Sequence, residues 1–479
     1  MRKLAVAGLA AGWLVTGDWL IGASLMTLAV GWMLLPTYEG PPVLPLAFTM
    51  QWVSVTIGFF YVTLTGRALD ASIHSDYRTM VMIGLGCVLS MAAGLWLGRW
   101  LIDRQAPPKG LRPAHALTFK TLMLVYALGT TFLLPVLLFA RDYPGLLQGL
   151  IALTYLRLGL LYLIFRRLVG QGRTYQVMGL LAVEIVLGIS GFFAGFREPL
   201  IMAALAYLEF FDRRKVTQWI ALGCLGLAMC VLGIAWLNIR IDYRQRFQND
   251  EKFATDRSAR IDALKESVSV WASQSTAEFW NDADAFADRM WTIYYPALAV
   301  ERVPSVLPHT NGDLMLQSME FAFLPRLFFP DKPDVISDSQ MVRKYSGIAV
   351  AGDESNTDIA FGYAAESYID FGVPLMFVPM LLWATFMGVA YALILREYRH
   401  RDIATSVATV ICWLALYLFE RSWTKTVGLS GTLLIYAGGL SYLLDRLWFE
   451  KTRAAYEAAG IGVDDAPALS ALPFEPHVK

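Results

Sequence analysis

Charge is what this chain has least of. Only 17% of its 479 residues are Asp, Glu, Lys or Arg, where a soluble chain of this size carries about a quarter. The deficit is concentrated in long apolar stretches separated by short basic punctuation, which is a membrane pattern. Forty basic residues balance forty acidic ones, so no net field favours nucleic acid as a partner. Cysteine is also scarce. Cys87, Cys224, Cys230 and Cys412 all fall inside apolar stretches and read as small buried hydrophobes, with neither a disulfide framework nor a metal site. The five histidines include no HExxH pair, and no serine nucleophile elbow occurs, so those two hydrolase chemistries lack their motifs. There is no repeat of fixed period and no inverted pair of broken spans, which argues against a secondary transporter.

What is present is a series of segments long enough to cross hydrocarbon, which takes about 20 helical residues. They lie near 43–64, 79–100, 117–140, 146–168, 175–194, 217–237, 373–395, 403–419 and 426–446, and a shorter one at 199–211 completes a hairpin. The first 36 residues would make a helix about 50 Å long, too long to cross once. Thr16-Gly17-Asp18 supplies a turn, so two short spans are expected there. A signal peptide is the rival reading, since Met1-Arg2-Lys3 precedes an apolar run, but no small-residue cleavage site leads into a polar start. The expected fold class is therefore all-α: a polytopic membrane protein with about 12 transmembrane helices and one large external loop domain.

Basic residues set the orientation. Arg2, Lys3, Arg99, Arg104, Lys109, Arg112, Arg166, Arg167, Arg173, Arg213, Arg214, Lys215, Arg396, Arg399, Arg401, Arg446, Lys451 and Arg453 fall on one face, against Arg67, Arg78, Arg141, Arg197, Arg421 and Lys425 on the other. Short basic loops stay cytoplasmic. Both termini are then cytoplasmic. The expected organisation is a membrane domain over 1–237, an external loop domain over 238–371, further spans over 372–447 and a disordered cytoplasmic tail over 448–479.

Two ionisable residues sit mid-span, Arg157 in "LTYLRLGLLYL" and Glu184 in "LLAVEIVLG". Their helices form a hairpin, and each residue is about equally far from its turn, so the two should lie at similar depth. An unpaired charge there is costly. A structural ion pair is preferred to a proton relay, because no further carboxylate or histidine accompanies them.

On the external face, Arg197 in "FFAGFREPLIMAAL" follows a Gly-rich turn and precedes Pro199, which suits a first helical turn. A helix N-terminus and a guanidinium together make a phosphate site; the alternative is an arginine snorkelling to the interface. Arg240 and Arg244 in "LNIRIDYRQRF" share a helix face, with Arg246 beyond them, and Arg326 and Lys332 stand among the prolines of "FLPRLFFPDKP". Such cations suit an anionic headgroup, and several arginines suit a pyrophosphate. Between the clusters, Ile261, Leu264, Val268 and Trp271 make one apolar stripe, and Phe279, Phe286, Met290 and Tyr294 another. Packing is the simpler reading of both, although Trp280, Trp291, Tyr294 and Tyr295 could stack on sugars. Asp282-Ala283-Asp284 has the form of a metal-binding DxD, but two acids on a polar helix face are not enough to expect a metal. Of the histidines, His74 and His309 are external.

The order of these features carries a resemblance. Gly195-Phe196-Arg197 leads into a span; a long loop ends in Leu324-Pro325-Arg326 and Phe329-Pro330-Asp331-Lys332-Pro333; then Gly362, Glu366, Tyr368, Phe371 and Gly372, in "FGYAAESYIDFGVP", lead into the next span. This resembles the Wzy-type oligosaccharide repeat-unit polymerases of O-antigen and exopolysaccharide synthesis, with their Gly-x-Arg turn, Pro-Arg…Pro-x-Lys-Pro segment and Glu-x-Tyr-x-x-Phe-Gly segment. The chain departs at the turn, where Phe196 and Glu198 replace small residues.

The resemblance implies a GT-C-like membrane glycosyltransferase in a bacterial inner membrane, using no cofactor. It would transfer a growing glycan from undecaprenyl pyrophosphate to the nonreducing-end sugar of another lipid-linked oligosaccharide. Membrane lipids and a chain-length regulator are the further partners it suggests. Arg197, Arg240, Arg244, Arg326 and Lys332 would hold the pyrophosphate, whose developing charge needs mainly cations. Glu366, or else His309, would take the acceptor proton; a carboxylate paired with one of the arginines is the competing reading of Glu366. An O-antigen ligase has similar architecture and the same donor, and a lipid-linked oligosaccharide flippase is a rival from another class.

Overall fold

A computed structural model describes residues 12, 17–36, 41–104, 118–140, 144–189, 197–212, 214–249, 262, 265–266, 269–271, 273–323, 329, 337–352 and 358–458. Among these the only regular secondary structure is helix. The long helices are α1 (Trp19–Leu34), α2 (Val43–Thr65), α4 (Tyr77–Asp103, after the one-turn α3, Asp70–His74), α5 (Phe119–Ala140), α6 (Pro144–Gly170), α7 (Thr174–Ile189), α8 (Arg197–Glu209) and α9 (Val216–Asn249). Four shorter helices follow: α10 (Thr276–Met290), α11 (Tyr294–Arg302), α12 (Asp313–Phe323) and α13 (Asp338–Ser346). After α14 (Tyr363–Phe371) come α15 (Phe377–Glu397), α16 (Arg401–Leu416), α17 (Trp423–Thr432), a π-helical turn at Leu433–Gly438, and α18 (Gly439–Ala458).

Among the described residues, five segments are long and apolar enough to cross a membrane: 43–65, 77–103, 216–237, 377–397 and 423–447. Trp19–Leu34, Phe119–Leu133 and Thr174–Leu187 are shorter apolar helices. The turn expected at Thr16-Gly17-Asp18 is present in part: Asp18 caps α1, its Oδ1 accepting the Leu20 N–H at 2.9 Å.

Helix α16 is the centre of the bundle. Every residue from Ala404 to Leu416 is buried, and α2, α6 and α15 pack around it. Helices α4 and α15 meet most closely. A Cβ at Gly94 would stand 2.5 Å from the Leu381 carbonyl oxygen, and one at Gly388 the same distance from that of Leu95. Only glycine allows these backbones to touch, the small-residue packing that replaces the hydrophobic effect in lipid.

Arg157 and Glu184 come together between α6 and α7 as a buried ion pair. Tyr126 Oη also donates to Glu184, and Arg157 Nε donates to Thr130 Oγ1 at 3.0 Å, so α5 joins the pair.

Cys224 and Cys230 are exposed, contrary to the expectation of burial. They stand on α9, whose Trp219, Ile220, Leu227 and Leu232 are also largely exposed. Among the described residues this apolar face is left largely uncovered, and an exposed apolar surface of this kind fits a lipid contact. Two boundaries move as well. Helix α9 continues to Asn249, beyond the edge expected at 237, and α18 continues to Ala458, into the segment expected to be disordered. The run "EKTRAAYEA" is made largely of strong helix formers. Residues from 459 onward lie outside the described ones.

Helices α10–α14 gather at one end of the bundle. There α11–α14 and the residues flanking them build a small second core from Ala299, Val303, Leu314, Val342, Tyr345, Phe361, Ala365 and Ile369. Trp291 fastens this layer to the bundle. It is buried against Gly58 of α2 and donates from Nε1 to the Val55 carbonyl at 2.9 Å. Phe286, in the second apolar stripe, packs on Gly233 of α9, so that stripe serves packing. Of the first stripe, Ile261, Leu264 and Val268 lie outside the described residues. Asp284 of the DxD is engaged by Arg67, whose Nε donates at 2.8 Å, and by the Tyr61 hydroxyl.

Candidate functional site

The segment Tyr417-Leu418-Phe419-Glu420-Arg421-Ser422-Trp423 turns the chain from α16 into α17, and side chains from several elements converge on it. Arg197, the first residue of α8, donates from Nη2 to the Tyr417 hydroxyl at 2.6 Å. Its guanidinium carbon lies 5.0 Å from the Tyr417 ring centre, and that of Arg421 lies 5.6 Å from the same centre. Trp413 stacks on Tyr417 at 4.8 Å, nearly parallel. The ring is thus held rigid between the bundle core and two cations.

Arg421 donates from Nη1 to the carbonyls of Leu414 and Ala415, at 2.5 and 3.3 Å. These belong to the last turn of α16, where a cation meets the negative helix end. Burial, reinforced by the charge of Arg197, pulls the Arg421 pKa below its ordinary value. An arginine stays protonated regardless, so the positive charges of the exposed Arg197 and the partly buried Arg421 leave the turn short of negative charge. Glu198 and Glu420 compensate in part. Glu198 Oε1 accepts from Arg197 at 3.2 Å, and Glu420 accepts from Arg289, the last-turn residue of α10, at 3.2 and 3.4 Å. Three guanidiniums against two carboxylates leave one net positive charge.

Glu366 sits on the other flank of the turn. It is 7% exposed, and its Oε2 accepts the backbone N–H of Trp423 at 2.8 Å. Burial pushes its pKa up to about 8, with the nearby charges of Asp338 and Asp370 adding to the effect. Among the described residues its hydrogen-bond partner is a helix N-terminus. The Tyr363 N–H donates to the Arg421 carbonyl at 2.8 Å, and the Tyr363 hydroxyl donates to Gln51 at 2.6 Å. Lys425 binds Asp338 at 2.8 Å and also Asp358.

His309, in the connection between α11 and α12, packs against the end of α14. Its Nδ1 lies 3.1 and 3.2 Å from the carbonyls of Tyr368 and Ile369. Carbonyls only accept, so Nδ1 carries the proton and Nε2 of the neutral ring is the acceptor. Gly372 lies against the imidazole, where a Cβ would come within 2.9 Å of it. Asp370 accepts from the N–H groups of Leu314 and Met315, at 3.1 and 2.9 Å, and so caps α12.

Of the residues singled out from sequence, Arg197 lies on the turn directly and Glu366 adjoins it, while His309 is reached through α14. Arg240 and Arg244 fall on the C-terminal part of α9, where side chains are outside the described ones, and Arg326 and Lys332 lie outside the described residues altogether. Sequence reasoning missed Arg421, Tyr417, Arg289 and Glu420. The available signal was "YLFERSW", an arginine and three aromatics in a very short connection between spans.

A family model described as "Domain of unknown function (DUF8712)" matches residues 101–393. That stretch includes Arg197, Arg289 and Glu366 but ends before the turn they surround. No curated protein and no solved structure matches the chain.

Proposed function

We propose that this chain, which belongs to the DUF8712 family, is a membrane glycosyltransferase that polymerises undecaprenyl-pyrophosphate-linked oligosaccharide repeat units. In this reading the chain makes twelve spans with both termini cytoplasmic, and the segment 238–371 faces outward with the turn at 417–423 beneath it. The growing glycan leaves its lipid pyrophosphate and joins a sugar hydroxyl of a second lipid-linked unit.

The observation that carries the reading is the pair of guanidiniums, Arg197 and Arg421, on one aromatic ring at the N-terminus of α8. Helix N–H groups and guanidiniums converge there, as binding of a pyrophosphate requires. The leaving group gains charge in the transition state, and preorganised cations stabilise that charge without a metal. Arg289, half-exposed and loosely paired with Glu420, is a third cation for the second phosphate. Arg240, Arg244, Arg326 and Lys332 retain the same assignment on their charge pattern and the resemblance. Glu366, with Oε2 committed to Trp423, is assigned to positioning the turn.

The test is the glycan ladder of a strain carrying only the variant protein. Arg197→Lys and Arg421→Lys should shorten or abolish polymer at normal protein abundance. Each loses planar, bidentate phosphate contact, a loss of about 3 kcal/mol or about a hundredfold in rate. Full-length polymer from both variants would reject the assignment. Normal repeat-unit ladders combined with loss of glycan transfer to lipid A-core would point to the ligase reaction instead.

A further inference from the structure

Glu198 occupies the position at which the turn departs from the resembled pattern, and its carboxylate is only half satisfied. Oε1 receives Arg197 at 3.2 Å, whereas Oε2 is buried and meets no hydrogen-bond donor among the described residues. The side chain is 18% exposed, so the group points into the protein. The charges of Glu198 and Arg421 both act on Tyr155 and on Tyr417, which puts this carboxylate among the residues of the arginine cluster. An acid in the first turn of a helix is favoured by the dipole. That accounts for its charge and leaves the direction of Oε2 unexplained. A buried oxygen of this kind calls for a donor from water or a ligand.

We propose that Glu198 is the general base of the transfer, a role that rests on the function proposed above. Oε2 accepts the hydrogen bond of the acceptor sugar's hydroxyl and takes its proton. The hydroxyl oxygen bonds to the anomeric carbon of the donor glycan while the bond from that carbon to the pyrophosphate oxygen breaks. The electron pair leaves with undecaprenyl pyrophosphate, whose charge Arg197 and Arg421 stabilise, and the proton then passes from Glu198 to water. Arg197 ties down one carboxylate oxygen and thereby aims the other, as a catalytic group supported by a fixed neighbour should be. Glu366 and His309 lack this direct contact with an arginine of the cluster: Glu366 binds Trp423, and His309 binds Tyr368 and Ile369.

The experiment compares Glu198→Gln, Glu198→Asp and Arg197→Lys with the parent protein, full length, in proteoliposomes. Polymerisation of an undecaprenyl-pyrophosphate-linked oligosaccharide gives kcat and donor KM, and calorimetry in detergent gives the affinity for inorganic pyrophosphate. Glu198→Gln should keep its abundance, donor KM and pyrophosphate affinity while kcat falls about 10²–10⁴-fold, and Glu198→Asp should recover part of the rate. A full ladder from Glu198→Gln beside a lost one from Arg197→Lys overturns the base and leaves the proposed reaction standing. Full ladders from both overturn the reaction. Preserved kcat with weakened pyrophosphate affinity would make Glu198 a binding residue, and loss of folded protein in both Glu198 variants would make it a structural one; either result overturns the proposal.

Discussion

The backbone N–H of Trp423 donates to Glu366 Oε2 at 2.8 Å, joining two residues 57 positions apart in the chain. This one bond fixes where α17 begins relative to α14. It thereby fixes the turn that carries Tyr417, Glu420 and Arg421. The same carboxyl is buried beside two other acids and has a pKa of about 8 against an ordinary 4.5.

A pH dependence follows. The folded chain holds a proton on Glu366 that the unfolded chain releases, so the stability tied to that proton is fully present below about pH 4.5. It is lost progressively as the pH rises through about 8. Glu366→Gln should flatten the melting temperature of the detergent-solubilised protein across that window. A variant with the same pH slope as the parent would contradict the assignment.

Arg157 and Glu184 should behave as one structural unit. Removing either strands a buried charge, at a cost of about 3–5 kcal/mol, whereas replacing both with apolar residues of similar volume should be mild. Tyr126→Phe should fall between, since it removes one donor from Glu184. Membrane abundance of the folded protein measures this. Normal abundance and lost activity in both single variants would favour a relay instead.

Trp291 should hold the α10–α14 layer on the bundle. Trp291→Ala removes a buried indole and its bond to Val55, a loss of about 3–5 kcal/mol. Gly58→Leu should do comparable harm by filling the space the indole occupies. Thermal unfolding of the solubilised protein checks both, and an unchanged midpoint in either would argue against this anchor.

Topology is testable without structure. A reporter fused after Pro330 should read as external, and fusions after Lys215 or Arg401 as cytoplasmic, because the short basic loops fall on one face. A cytoplasmic signal from the Pro330 fusion would invert the orientation and remove the proposed site from its substrate.

Helix positions in the membrane part were legible because each needs about 20 apolar residues, and α2, α4, α5 and α6 begin and end within a few residues of the expected limits. The depth argument for Arg157 and Glu184 worked for the same reason, since helical rise converts sequence distance from a turn into depth. The layer of α10–α14 was not legible beyond its apolar stripes, because its contacts are long-range: Trp291 to Val55, Asp284 to Arg67, Glu366 to Trp423. Arg197 could be picked out from its place at a helix start. Arg421 could not, because its importance comes from sharing Tyr417 with a residue 224 positions earlier.

The central claim concerns the donor, and reconstitution tests it most directly. The purified chain in proteoliposomes, supplied with an undecaprenyl-pyrophosphate-linked oligosaccharide and no other enzyme, should lengthen the glycan. It should release one undecaprenyl pyrophosphate for each new linkage, and the Arg197→Lys and Arg421→Lys proteins should release it about a hundredfold more slowly. Intact donor after prolonged incubation with folded protein, or release that is indifferent to both substitutions, would contradict the account.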